Sequence, residues 1–225
     1  MYKTLRGLKN GKKIIELKSV SKSFYHKLAL QNINISIDEN KVYGFSGPNG
    51  SGKTLTFKTI LGFVKPSSGQ VFVNGSVIRT DSLFAKDIGF ALPEYNLLPN
   101  KSGLTNLKLL SLLSQTKEDN EIELLTYVGL NPIDDRKIKD YSLGMRQRLL
   151  IASALIDDKP ILMFDEPTNA LDEDGQQFMI NLITDLKAKG KTILVSSHDA
   201  MFLKSVSDKL FYFNDGKVIR EEEQQ

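Results

Sequence analysis

Apolar and polar positions alternate in the first quarter of the chain. In "LQNINISID" Ile33, Ile35 and Ile37 take every second place, and "KIIELKSV" and "KVYGFSG" are β-rich runs on either side. A period of two sends one face of a strand to a core and the other to water, so the chain is predicted to open with three strands. Then the period changes. "TLTFKTILGFV" carries apolar residues at helical spacing and is followed by a turn at Pro66 to Gly69 and a short strand, "QVFVNG". "DIGFAL" predicts another short strand. From Pro93 to Leu155 the pattern is mostly helical, with Leu107, Leu110 and Leu113, then Leu124, Leu125 and Val128, at helical intervals. Beyond Pro160 two apolar runs, "ILMFDEP" and "TILVSSH", read as buried parallel strands around a helix, "GQQFMINLITDLKAKG", that Gly190 stops. The run "KLFYFNDGKVI" contains a hairpin signal in Asn214-Asp215-Gly216.

This order predicts an α/β fold with an antiparallel β-lobe near the N-terminus and an inserted helical lobe. The expected division is a basic tail at 1–13, a core from 14–93 and 157–225, and a helical lobe at 94–156. A length of 225 residues suits one substantial core with an insertion. A net charge of +3 is too small to argue for nucleic acid, and no nucleic-acid partner is expected. With no cysteine, disulfides and cysteine-ligated metal sites are excluded. The best apolar run, "LLIASALI", is far shorter than the ~20 residues of a membrane-spanning helix. The basic start, with Lys3, Arg6, Lys9, Lys12 and Lys13, lacks the apolar stretch of a secretory signal and reads as a solvated tail. The closing "REEEQQ" likewise reads as a solvated end.

Three motifs carry chemistry. "GPNGSGKT", Gly47 to Thr54, matches the phosphate-loop pattern between a strand and a helix, the context the pattern requires. Its glycines let backbone N–H groups turn inward around phosphate oxygens, and the helix N-terminus adds its positive dipole end. Lys53 is expected to hold the outer phosphates and Thr54 to ligate Mg²⁺. An accidental lysine in a glycine-rich turn is the competing reading, and the flanking strand and helix disfavour it. "ILMFDEP" ends an apolar strand on two carboxylates: Asp165 to bind Mg²⁺ and Glu166 to orient or deprotonate an attacking water. Alone, these acids would as readily cap a turn. "LVSSHD" sets His198 just past another strand, within reach of a terminal phosphate, whereas His26 has no such context and reads as structural.

At "YSLGMRQRLLIASALI" and "PILMFDEPTNALD" the chain resembles the ATP-binding cassette (ABC) ATPase family. The family signature, L-S-G-G-Q-x-Q-R, is occupied by Tyr141 to Arg148. Ser142, Gly144, Gln147 and Arg148 match, while Leu143 and Met145 depart. The resemblance runs from about Ile14 to Ile219 and implies a phosphate-loop ABC cassette with a RecA-like core. It also implies head-to-tail pairing with a second such domain, in a homodimer or heterodimer, so that Ser142 and Gly144 face ATP on the partner's phosphate loop. The residues agree: Ser142 is a natural N-cap, and Met145 cannot close a capping box, which leaves first-turn N–H groups for an external anion.

By the same resemblance, Phe24, or its neighbour Tyr25, stacks on adenine, and Gly47, Asn49, Gly50, Ser51, Gly52, Lys53, Thr54 and Leu55 hold the nucleotide. Asp172, in "NALD", helps position the opposing site. Mg²⁺ sits on Thr54 and Asp165 with Glu94 nearby, where the family usually has glutamine. Lys53, Glu166 and His198 carry the hydrolysis. The Pro-Glu form and the Ser-Leu-Gly-Met signature resemble ATPase subunits of bacterial exporters of the bacitracin or lantibiotic-resistance type. The expected protein is an ATPase on the cytoplasmic face of a membrane, docked through Glu94 to Thr105 on a separate integral permease. A soluble single-cassette ATPase of a non-membrane assembly, such as an iron–sulfur scaffold complex, is the alternative. A regulatory subunit that binds ATP without hydrolysing it is disfavoured by Glu166.

Overall fold

The computed structural model describes residues 12–25, 27–93, 97–113, 120–169 and 171–224. The chain begins with strands β1 (Lys13–Phe24), β2 (Lys27–Asp38) and β3 (Val42–Ser46) and helix α1 (Lys53–Leu61). Strands β4 (Ser68–Val73), β5 (Ser76–Val77) and β6 (Ile88–Ala91) lead to helices α2 (Gly103–Ser111), α3 (Glu121–Tyr127) and α4 (Leu143–Leu155). Then come β7 (Ile161–Asp165), α5 (Glu173–Ala188), β8 (Thr192–Ser197), α6 (Ala200–Val206), β9 (Lys209–Asn214) and β10 (Lys217–Glu223).

Two sheets form. The first is antiparallel, in the order β2-β1-β4-β5. Its register sets Ile15 against Ile37, Leu17 against Ile35 and Val20 against Ile33, so the alternating isoleucines of β2 line one buried face. The second sheet runs β10-β9-β3-β8-β7-β6 and is parallel except for the β9–β10 hairpin.

Successive residues of the central strands supply two different cores. Ile161 and Met163 of β7 and Leu194 of β8 join Tyr43, Phe45, Phe57 and the first sheet. Leu162 and Phe164, with Ile193 and Val195, join α4, α5 and α6 on the other side. A sheet covered on both faces needs continuous apolar strands, as these are, and each large side chain buried there contributes roughly 1.5–3 kcal/mol. The helical region is anchored through the second core by Leu107, Leu125 and Val128. Leu113 is exposed, because α2 ends at Ser111.

Several boundaries differ from the sequence pattern. Helix α1 stops at Leu61 rather than continuing to Val64, since Gly62 turns left-handed at φ 85° and its N–H returns to the helix carbonyls. Helix α5 starts earlier than Gly175, capped by Asp172. Lys13, counted with the tail, already belongs to β1, and residues 1–11 lie outside the described residues. The closing residues are not a loose end: Arg220 to Glu223 continue β10, with Lys209 paired to Glu221 at 2.7 Å and to Glu223 at 3.5 Å. Helix α6 follows directly on His198 and Asp199, where the sequence pattern marked no helix.

Candidate active site

The carboxyl ends of β3, β7 and β8 lie side by side, which is where an open parallel sheet binds ligands. The phosphate loop leaves the end of β3 and enters α1 at Lys53, whose side chain is buried. The Lys53 ammonium donates to the carbonyls of Gly47 at 2.6 Å and Pro48 at 3.2 Å. The loop packs against the turn between β9 and β10. A Cβ on Gly47 would meet the Phe213 carbonyl at 2.3 Å, so only glycine fits there. The Gly216 N–H donates to the Ser51 carbonyl at 3.0 Å, and the Gln31 N–H to the Gly216 carbonyl at 2.7 Å. Around Gly50 the space is open, and the buried Ser51 hydroxyl has no partner among the described residues.

Asp165 ends β7 with both carboxylate oxygens engaged. Thr54 Oγ1 donates to Oδ2 at 2.7 Å, and Ser196 Oγ donates to Oδ1 at 2.5 Å. Burial pushes the Asp165 carboxyl above the ordinary carboxylate range, the two hydrogen bonds oppose that rise, and the neighbouring Glu166 charge adds to it. Glu166 has a left-handed backbone at φ 49°, a conformation that costs a non-glycine residue about 1–2 kcal/mol. Its N–H donates to both the carbonyl and the hydroxyl of Ser196, at 3.1 and 3.0 Å. Its Oε2 lies 3.0 Å from His198 Nδ1 and accepts the His198 backbone N–H at 3.3 Å. Its Oε1 lies 3.2 Å from the Lys53 ammonium, near enough for charge attraction but not aligned for a hydrogen bond. Lys53, Thr54, Asp165, Glu166 and His198 thus form one connected cluster.

A cavity of about 640 Å³ opens beside them, lined among others by Lys27, Leu28, Asn49, Lys58, Glu166 and Asp215. Gly50, Ser51, Gly52, Lys53, Thr54 and Leu55 also line it. Phe24 and Tyr25 stand at the β1–β2 turn and are not part of the lining; Phe24 is 45% exposed, with the Lys22 ammonium 4.8 Å from its ring centroid, and Tyr25 is fully exposed. Lys27, Leu28 and Asp215 reach the cavity without any signal in the sequence, because only the sheet pairing brings β2 and the β9–β10 turn to the loop.

Ser142 and Gly144 are likewise no part of this cavity. Ser142 caps α4, its Oγ accepting the Met145 N–H at 3.2 Å. The N–H groups of Leu143 and Gly144 have no acceptor within the helix. Leu143 is 65% exposed beside them. Arg148 ties the helix down: its guanidinium donates to the Val128 carbonyl at 2.8 Å and lies over the Phe178 ring. Asp172 accepts the Gly175 N–H at 2.9 Å as the cap of α5. Glu94 lies outside the described residues.

A phosphate loop, a strand-end carboxylate pair and a histidine on this sheet define a nucleoside-triphosphate-hydrolysing α/β cassette. Residues 30–169 match the family profile described as ABC transporter. The chain is 34% identical over 206 residues to an uncharacterised ABC transporter ATP-binding protein, YybJ, of Bacillus subtilis, covering 91% of this chain and 94% of that one. It is 36% identical over 210 residues to the lantibiotic transport ATP-binding protein SrtF of Streptococcus pyogenes, covering 93% and 91%. In structure it is similar to a dimeric ATP-binding cassette in a post-hydrolysis state bound to ADP and phosphate. The TM-score is 0.85 at 29% identity, over 94% of this chain and 99% of the other. The chain belongs to the ABC transporter family, as an ATP-binding subunit with ATPase activity.

Proposed function

We propose that ATP binds along the phosphate loop with its phosphates at Lys53 and is hydrolysed between two copies of this cassette, or between this cassette and a close relative. The observation that carries the reading is the cluster Lys53–Glu166–His198, in which one strained carboxylate meets a buried ammonium and an imidazole at 3.2 and 3.0 Å. The loop fits a polyphosphate: open space faces Gly50, the Ser51 hydroxyl has hydrogen-bonding capacity to spare, and the adjoining cavity of about 640 Å³ has room for a nucleoside.

The Thr54 hydroxyl and the Asp165 carboxylate are an oxygen-only pair suited to Mg²⁺, which keeps several waters and shares itself with substrate phosphates. Bound there, Mg²⁺ supplies charge neutralisation to the phosphate oxygens. Glu94 is proposed to join the pair, adding an anionic oxygen where a glutamine would add a neutral one. Glu166 takes a proton from the attacking water. The His198 backbone N–H holds Glu166 Oε2 in place, and its ring N–H is offered to the terminal phosphate as charge moves. Gly47 and Asn49 shape the loop, Leu55 backs the cavity wall, and the exposed ring of Phe24, outside the cavity lining, is available to stack on adenine.

Ser142 and Gly144 serve the partner's site, with the free N–H groups at the start of α4 as an anion seat, and Asp172 positions the joint from the cap of α5. The segment 94–156 acts as the lobe that carries this seat. The chain drives an integral membrane permease from the cytoplasmic face, touching it through residues 94–105, of which Leu98 is exposed. Export is the proposed direction, from the resemblance of the Pro-Glu form and the Ser-Leu-Gly-Met signature to exporter subunits. No helix among the described residues is long and apolar enough to cross a membrane. Transporter relatives favour this reading over a non-membrane scaffold ATPase.

The test is steady-state ATP hydrolysis by wild type and Glu166→Gln, with affinity isolation from solubilised membranes alongside. Glu166→Gln is expected to lower turnover by about 100-fold or more while ATP binding stays within a few-fold. Unchanged turnover sinks the base assignment, and recovery of only soluble partners sinks the permease.

A further inference from the structure

Ser196 joins the two carboxylate residues of the site through a single hydroxyl. On β8 it lies opposite Asp165 of β7 in the parallel register, and it is fully buried. Ile193, Leu194 and Val195 before it are apolar core residues, and the strand then ends on two buried hydroxyls, Ser196 and Ser197. A hydroxyl has one proton to give and lone pairs to receive with. The Ser196 proton goes to Asp165 Oδ1 at 2.5 Å, and its oxygen accepts the Glu166 N–H at 3.0 Å. Neither role can be taken over by water without a cavity, because the residue has no exposure.

The two bonds act on different parts of the machinery. The bond to Oδ1 fixes the rotation of the Asp165 carboxylate and thereby aims Oδ2 at Thr54, with Thr54 Oγ1 at 2.7 Å. The bond from the Glu166 N–H holds a residue whose backbone is left-handed at φ 49°, and so sets where its carboxylate meets Lys53 and His198. Removing the hydroxyl leaves the Glu166 N–H with the Ser196 carbonyl at 3.1 Å as its remaining acceptor, and leaves Oδ1 buried with no donor in place.

We propose that Ser196 is a positioning residue that sets the metal-binding carboxylate and the water-activating carboxylate in register with one another. The proposal rests on the roles given above to Asp165, Thr54 and Glu166. It predicts that the metal requirement of the site depends on a hydroxyl that touches neither metal nor nucleotide. Hydrogen-bonding partners behind metal ligands typically matter by about 10–100-fold in affinity.

The experiment uses Mn²⁺, whose free form gives a paramagnetic resonance signal, together with an ATP analogue carrying a methylene bridge between its outer phosphates. Full-length wild type, Ser196→Ala, Ser196→Thr and Asp165→Asn are titrated with Mn²⁺ in its presence, and the same analogue is titrated in EDTA. Ser196→Ala is expected to need about tenfold more Mn²⁺ for half-saturation, with metal-free nucleotide binding unchanged, and Ser196→Thr to stay within about twofold of wild type. A Ser196→Ala protein with wild-type Mn²⁺ binding, beside an impaired Asp165→Asn, overturns the proposal and leaves the site reading standing. Equal losses in Ser196→Ala and Ser196→Thr, or a parallel loss of metal-free nucleotide binding in Ser196→Ala, overturn it as general damage. Wild-type Mn²⁺ binding in Asp165→Asn overturns the metal reading itself and the proposal with it.

Discussion

Opposite demands meet at Glu166. Its backbone takes a conformation that L-residues avoid, while its side chain lies between the Lys53 ammonium and the His198 imidazole. The arrangement persists because three partners over-determine it: the carbonyl and hydroxyl of Ser196 below, and the His198 backbone N–H above. Residue identity was legible here from the strand ending in "DEP"; the left-handed turn was not, since nothing local favours it over an ordinary extended glutamate. Ser196 was missed for the same reason. A serine in "ILVSSH" has no stated job until the register sets it opposite Asp165. Glu94 is a different case, a departure readable only from sequence. By its proposed place in the metal site, an anionic oxygen strengthens the hold on Mg²⁺ relative to a glutamine. Glu94→Gln is expected to keep nucleotide affinity within a few-fold and to shift the Mg²⁺ dependence of turnover to higher concentration. Abolished nucleotide binding would count against this placement.

Among the elements, the short helix α6 shows how a cap substitutes for propensity. It has seven residues and follows His198 directly, and Asp199 Oδ1 receives the N–H groups of Met201 and Phe202 at 2.8 and 3.1 Å. Asp199→Ala is expected to lower stability by about 1 kcal/mol and to loosen His198, visible as a lower unfolding midpoint and a smaller turnover at unchanged nucleotide affinity. Strand β3 holds a second probe. Burial pushes the Tyr43 phenol up to about 12 from an ordinary 10.0, and its oxygen accepts the Asp38 N–H at 2.8 Å. The folded chain therefore keeps this proton where the unfolded chain loses it. The resulting stability is complete below pH ~10 and is lost as pH rises toward ~12. Denaturant midpoints should fall over that window in wild type and fall less steeply in Tyr43→Phe; equal slopes would exclude this phenol as the cause. The pattern of apolar positions marked β1 to β4 and β6 to β9, α1, the helical stretch that holds α2, α3 and α4, and α5. It did not mark β10 past Ile219, because a charged edge strand and a solvated tail look alike until cross-strand pairs such as Lys209 with Glu221 are seen.

At the scale of the molecule, the six-stranded sheet divides two cores and brings the ends of β3, β7 and β8 to one crevice. Half of the expected chemistry lies there. The other half, at the start of α4, lines no part of the same cavity, although Arg148 holds the helix rigidly to the Val128 carbonyl and the Phe178 ring. Two incomplete halves on one chain call for a second cassette. In a Glu166→Gln background, ATP is expected to convert the monomer to a dimer by light scattering. Adding Ser142→Arg should abolish the dimer while ATP binding by the monomer stays unchanged. A dimer that survives Ser142→Arg would show that α4 is not the partner's phosphate seat.

The sequence by itself determined the phosphate loop, the two carboxylates, the histidine, the signature helix and the order of the main strands and helices, apart from β5 and α6, since each is written in adjacent residues or a local period. Tertiary structure alone decided which hydroxyl aims Asp165, which walls close the cavity at Lys27, Leu28 and Asp215, and that Phe24 stands outside that lining. Those facts depend on register between distant strands: β7 and β8 are buried on both faces, so their apolar runs leave the pairing of Ser196 with Asp165 to the folded sheet.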